Sequence, residues 1–290
     1  MTQVRLFIRA PKAVATAIND RFDAAFEDEG WPLALSIVDE ERDVQEVSVY
    51  TDAPDDAAAR MRAIMAGAGG ELEIGRENLG DIDWVAKSLE GLKPVRAGGF
   101  VVHGGHDRDA VRAGETAIEI EAGQAFGTGH HGTTAGCLDM IDAVLKRRTV
   151  ANALDLGTGS GVLAIALAKR QRRAAVLATD IDPVAVAVAK ANARLNEVAG
   201  SVACLTAPGM THGVIAGRAP YDLVVANILA GPLMRLAPAI ARATAPGGEV
   251  ILSGILDRQR RRVIAAFVAQ GLACRRTLHR EGWSTIRLQK

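Results

Sequence analysis

Ala153-Leu154-Asp155-Leu156-Gly157-Thr158-Gly159-Ser160-Gly161 is the stretch whose reading decides the fold. Its first four residues read as a buried strand. Three glycines at alternate positions then let the backbone turn tightly and approach a ligand, because glycine takes left-handed torsions at no steric cost. The apolar run VLAIALAKR (Val162–Arg170) continues as a helix whose first amide groups would point at that ligand. A dehydrogenase turn would read G-x-G-x-x-G, and Val162 stands where its third glycine would fall; the G-K-[ST] of a phosphate loop is absent as well. The next strand, AVLATD, ends at Asp180, about 20 residues beyond the glycines, where a carboxylate can accept hydrogen bonds from both ribose hydroxyls of a nucleoside.

Downstream, the alternation of strand and helix continues through PVAVAVAKANARLN, DLVVANI, a helix around Leu233–Ala243, EVILSGI and a helix over Arg258–Gln270. Near-continuous apolar strands alternating with helices imply an α/β fold with a mainly parallel sheet covered on both faces. Ligands gather at the carboxyl ends of such strands, which makes Asn227 a candidate. Upstream, Gln124-Ala125-Phe126-Gly127-Thr128-Gly129-His130-His131-Gly132-Thr133-Thr134 runs into a helix at Ala135–Leu145. Its glycines and hydroxyls could offer donors to a carboxylate or purine; by composition alone it is a capped loop, with Thr133 or Thr134 as the cap. Adjacent histidines do not share a helix face and no acid-plus-His set surrounds them; a metal site is expected neither there nor at the His103–His106 pair.

Residues 3–9 read as a strand, Pro11–Phe26 as a helix, Leu33–Asp39 and Glu46–Tyr50 as strands, Asp55–Gly67 as a helix and Glu71–Ile74 as a strand. That β-α-β-β-α-β order predicts a small ferredoxin-like α+β domain. A short helix over Asp81–Leu89 leads to Gly91, Pro94 and Gly98–Gly99, a linker. The expected division is an N-terminal domain at 1–78, a linker with a short helix at 79–97, and a larger domain at 98–290.

Composition narrows the class. The chain has 290 residues, enough for two ordinary domains, and 49% hydrophobic with 23% charged residues excludes disorder. No apolar run approaches the roughly 20 residues of a membrane span, and the N-terminus meets charge too early for a secretory signal. Three separated cysteines suggest a reducing compartment, so a cytoplasmic location is expected. The zero net charge is a cancellation. Residues 1–90 hold 19 acidic against 9 basic side chains, and residues 91–290 hold 15 against 25. An acidic domain attracts basic partners and repels nucleic acid.

The G-x-G-x-G spacing after Asp155 resembles the first motif of S-adenosylmethionine-dependent methyltransferases of the seven-stranded Rossmann-like class. Taken together, GQAFGTGHHGTT, ALDLGTGSGVLAIALAK, TDIDPVAVAVAKANARLN, VVANILAGPL and the linker WVAKSLEGLKPVRAGGFVVHG are similar to one family, the ribosomal protein L11 methyltransferases of bacteria. Good resemblance covers about residues 81–256, with His130-His131-Gly132 standing where the family often has Thr-His-Pro. The resemblance implies S-adenosylmethionine contacts at Thr134, Gly157, Asp180 and Asn227, with Phe126, Thr128 and Gly159 as additions. It also implies the substrate, amino groups of L11 on lysine side chains and the N-terminus, held by the N-terminal domain. No nucleic-acid or membrane partner is expected, and a monomer is the default. Asn227 is the expected catalytic group, its side-chain carbonyl orienting the amine. No dedicated base is needed, since burial beside a sulfonium cation itself disfavours an ammonium ion. The alternatives are a methyltransferase of the same fold acting on RNA or a small molecule, and a non-catalytic S-adenosylmethionine-binding module.

Overall fold

The computed structural model describes residues 4–26, 31, 33–39, 43–51, 53–66, 72–78, 94–120 and 131–290. The chain divides into two compact units, Met1–Ile82 and Asp83–Lys290.

The first unit runs β1 (Val4–Pro11), α1 (Lys12–Phe26), β2 (Leu33–Asp39), β3 (Val44–Thr51), α2 (Pro54–Ala66) and β4 (Gly75–Asn78). Its sheet has the order β2-β3-β1-β4 with every pair antiparallel. Alternation along β1 explains the packing: Val4, Leu6, Ile8 and Ala10 are buried in a core shared with Ile18, Phe22 and Phe26 of α1 and Met61 and Met65 of α2. The intervening Arg5, Phe7 and Arg9 face the other way, where both arginines pair with Glu46 and lie against the Phe7 ring at 4.8 and 5.2 Å.

The fourth strand corrects the sequence reading. It lies at Gly75–Asn78, not at Glu71–Ile74. Leu72 and Ile74 pack against the core as a lead-in, while the polar GREN segment pairs with β1. Gly75 stands opposite Phe7, and a Cβ there would fall 2.3 Å from the Phe7 ring. An edge strand can carry charged residues, so the apolar run was the wrong guide to its position.

In the second unit, β5 (Val95–Ala97), β6 (Phe100–His103) and β7 (Thr116–Glu119) form a three-stranded sheet in that order. Val95–Ala97, assigned to the linker by sequence, are therefore paired strand residues of this unit. The short helix expected over Asp81–Leu89 and the loop Gln124–His130 lie outside the described residues. The chain continues through α3 (His131–Leu145), β8 (Asn152–Leu156), α4 (Val162–Arg170), β9 (Ala175–Asp180), α5 (Pro183–Leu195), β10 (Val202–Thr206), α6 (Gly213–Arg218) and β11 (Tyr221–Asn227). It ends with α7 (Ala230–Ala243), β12 (Thr244–Leu256), α8 (Arg260–Val268), β13 (Ala273–Arg280) and β14 (Trp283–Gln289).

The large sheet has the order β10-β9-β8-β11-β12-β14-β13. Its first five strands are parallel, and β14 is antiparallel to both neighbours. Successive residues face opposite layers: Ala153 and Val225 join the core that holds Leu138, Ile141 and Ile165, whereas Leu154 and Val224 join the core that holds Leu233, Ile240 and Phe267. The chain reverses direction across the sheet between β8 and β11, and that reversal opens a crevice at their carboxyl ends. All three cysteines are free thiols; Cys137 is buried, and burial pushes its thiol up to about 12. Among the described residues no helix is long and apolar enough to cross a membrane.

Candidate cofactor and catalytic site

Gly157, Gly159 and Gly161 follow β8 with φ of 72°, 54° and 85°, a left-handed run that side chains disfavour. The amides of Gly157 and Thr158 donate to the Thr179 carbonyl of β9 at 2.8 and 2.9 Å, which pins the start of the turn. A Cβ on Gly157 would lie 2.3 Å from Ile228 Cγ2, so this position must present bare backbone. Beneath the turn, Asp155 Oδ2 accepts from Thr158 Oγ1 at 2.6 Å and from the Ala164 amide of α4 at 3.1 Å. Asp155 Oδ1 is buried with no hydrogen-bond partner among the described residues. Burial pushes this carboxyl up to about 6, with the nearby Asp180 charge acting in the same direction against the two hydrogen bonds.

Asp180 ends β9. Its Oδ2 accepts from the Gly159 amide at 2.9 Å and its Oδ1 from the Asp182 amide at 3.1 Å, which ties the second strand end to the middle of the glycine turn. Asn227 ends β11, and its Nδ2 donates to Thr133 Oγ1 at 3.4 Å. The Thr133 carbonyl in turn accepts from Ser253 Oγ at 3.4 Å, and Ser253 Oγ shares a 3.0 Å hydrogen bond with Thr285 Oγ1. The helix begins at His131, so Thr133 and Thr134 are buried in its first turn and do not cap it as their composition suggested.

Five of the residues singled out from sequence thus sit on elements that meet at one edge of the large sheet: Gly157 and Gly159 after β8, Asp180 at the end of β9, Asn227 at the end of β11, and Thr134 in the first turn of α3. Phe126 and Thr128 lie outside the described residues. Among the described residues no group of three or more His, Cys, Asp or Glu is placed to hold a metal ion.

A model of one family, ribosomal protein L11 methyltransferase (PrmA), matches residues 4–290. The chain belongs to the ribosomal protein L11 methyltransferase family. It is 58% identical over 290 residues to the ribosomal protein L11 methyltransferase of Mesorhizobium japonicum, with 100% of each chain covered. It is 53% identical over 292 residues to that of Rhizobium meliloti, again with 100% of each covered. A crystal structure of the ribosomal protein L11 methylase from Lactobacillus delbrueckii subsp. bulgaricus superposes with a TM-score of 0.61 at 28% identity, covering 68% of this chain and 98% of that one.

Within this family framework, sequence reasoning underweighted two groups. Asp155 served only as the landmark before the glycines, yet it is the buried carboxylate on which the glycine turn is built. The available signal was an acid at the end of an apolar strand with a threonine three residues later. Ser253 and Thr285 had no local signal, because only sheet pairing brings them to Thr133.

Proposed function

We propose that this protein transfers methyl groups from S-adenosylmethionine to amino groups of ribosomal protein L11, on lysine side chains and at the N-terminal amine. The observation that carries the reading is the convergence of a bare glycine turn, the Asp180 carboxylate bonded to it and Asn227 at one strand-end crevice, in a chain of this family. These groups suit S-adenosylmethionine: unsubstituted backbone at Gly157 and Gly159 for close approach, Asp180 for the ribose hydroxyls, and a buried Asp155 oxygen with no partner among the described residues, which favours a cationic ligand nearby. Thr134, with Phe126 and Thr128 ahead of it, completes the set. When bound, the cofactor supplies an electrophilic methyl carbon on a sulfonium sulfur.

The chain's own task is to deliver a neutral amine in line with that carbon. A free lysine is neutral in about one molecule in 2,500 at pH 7, so the site must exclude the ammonium form and orient the lone pair. Asn227 suits the second task. Its amide nitrogen is engaged by Thr133, which leaves the carbonyl oxygen to accept from the amine. The acidic N-terminal unit holds L11, and the protein works as a monomer in the cytoplasm.

The test is radiolabelled methyl transfer into a ribosomal lysate from cells lacking this protein. A single labelled small ribosomal protein is the expected outcome, and labelled RNA would overturn the substrate assignment. Asn227→Ala should lower kcat at least 100-fold, a larger effect than its effect on S-adenosylmethionine affinity; an unchanged kcat would remove Asn227 from the chemistry.

A further inference from the structure

The strand ends opposite the glycine turn form a second, differently charged edge of the large sheet. Each helix that follows a parallel strand runs back to this edge, so the loops entering β8 to β12 lie together there. A groove of about 330 Å³ opens among them, lined by Arg172 and Arg173 ahead of β9, by Ala199–Ala203 around the start of β10, and by Arg218 ahead of β11. All three arginines are exposed and make no ion pair among the described residues, and no acidic or aromatic side chain lines the groove.

Helix electrostatics accounts for part of this charge. Cations in a last helical turn offset the carbonyl end of the dipole, which suffices for Arg194 in α5, Arg218 in α6 and Arg242 in α7. It does not cover Arg172 and Arg173. These lie beyond the end of α4, whose last turn already carries Lys169 and Arg170. On the loop before β8, Lys146 pairs with Asp142 and Arg148 bonds the Gly247 carbonyl, while Arg147 is exposed. Arg172, Arg173 and Arg218 thus give the groove a local positive charge with no acidic side chain in its lining.

We propose that this edge docks the phosphodiester backbone of RNA, recognised by charge and not by base sequence. Guanidinium groups match phosphate oxygens in geometry as well as charge. The groove offers neither the aromatic platform that base-stacking sites use nor the apolar centre that a protein partner buries. The acid surplus that argues against nucleic acid is confined to residues 1–90, while residues 91–290 carry 25 basic against 15 acidic side chains. Because the groove lies at the strand ends remote from the glycine turn, bound RNA leaves the cofactor crevice open. RNA is held without being the methylated substrate.

The experiment is fluorescence anisotropy of the full-length protein with a fluorescein-labelled RNA hairpin, titrated at several salt concentrations. The triple variant R172Q/R173Q/R218Q should bind at least tenfold more weakly at 50 mM salt. Each lost phosphate contact should also reduce the slope of log affinity against log salt by about 0.7–0.9. A charge-matched control, R261Q/R262Q/R276Q, should keep most of the affinity. Both variants should keep the wild-type melting temperature to within a few degrees, and the triple variant the wild-type rate of L11 methylation. Equal losses in the two variants, or wild-type binding by the triple variant, would overturn the proposal. So would binding of polyglutamate in preference to the hairpin, which would make the edge a site for an acidic polypeptide.

Discussion

Asp155 lies wholly inside the protein, one oxygen held by Thr158 and the Ala164 amide, and its carboxyl is pushed from 3.8 up to about 6. An acid whose folded-state value is raised binds its proton more tightly in the native state. It therefore favours folding below the unfolded value, and this contribution is lost as pH rises towards the folded one. Between pH 4 and pH 6.5 the wild type should lose on the order of 2 kcal/mol that Asp155→Asn does not lose, as read from urea midpoints at the two pH values. An identical pH profile in the variant would show that the carboxyl titrates normally. Gly157 makes a different demand. Its φ of 72° and the 2.3 Å approach of Ile228 to any added Cβ predict that Gly157→Ala costs about 2 kcal/mol or more. S-adenosylmethionine should bind that variant at least tenfold more weakly by calorimetry. The glycines were legible in sequence because they answer to a local steric rule. The burial of Asp155 was not, because it depends on what packs around the turn.

Secondary elements were legible where one pattern dominated. In α4 every residue from Val162 to Ala168 is buried, because the helix is covered by α3 and α5 as well as by the sheet. The unbroken apolar run announced this. Ile165→Ala should accordingly cost about 2–5 kcal/mol in urea denaturation, with little change in cofactor affinity. Asp182 caps α5, its side chain accepting from the Val184 amide at 2.8 Å ahead of Pro183 at the first helical position. Removing that acceptor with Asp182→Ala should cost about 1 kcal/mol by the same measurement. Elements at sheet edges were harder to read. β13 is ACRRTLHR, largely exposed and, among the described residues, paired only with β14, so it lacks the apolar signal by which central strands are found. β4 was misplaced for the same reason, since its polar residues pair at the rim while the apolar Leu72 and Ile74 before it feed the core.

For the molecule as a whole, a net charge of zero conceals two units of opposite sign. If the acidic unit captures a lysine-bearing ribosomal protein, the KM for L11 should rise several-fold between 50 and 300 mM salt, as exposed charges become screened. Binding of S-adenosylmethionine, governed by the enclosed turn, should change little. A salt-independent KM would reduce the acidic surplus to surface solvation. If the acidic unit takes the basic ligand and the other unit a polyanion, the two screening effects can be measured separately on one protein.

The sequence alone determined the α/β class, the glycine turn, and the strand-end positions of Asp180 and Asn227, while the seven-stranded methyltransferase type came from its resemblance to a known class. The former follow from short-range rules: glycine torsions, apolar periodicity, and the tendency of parallel strands to present their carboxyl ends to ligands. Only the tertiary structure decided that Asp155 is enclosed and that Asn227 is held through Thr133, whose carbonyl reaches Ser253 across 120 residues of chain. It alone gathered Arg172, Arg173 and Arg218 around one groove. Each of these depends on crossovers that bring distant segments side by side, and a side chain's burial, partner and charge environment exist only once that packing is complete.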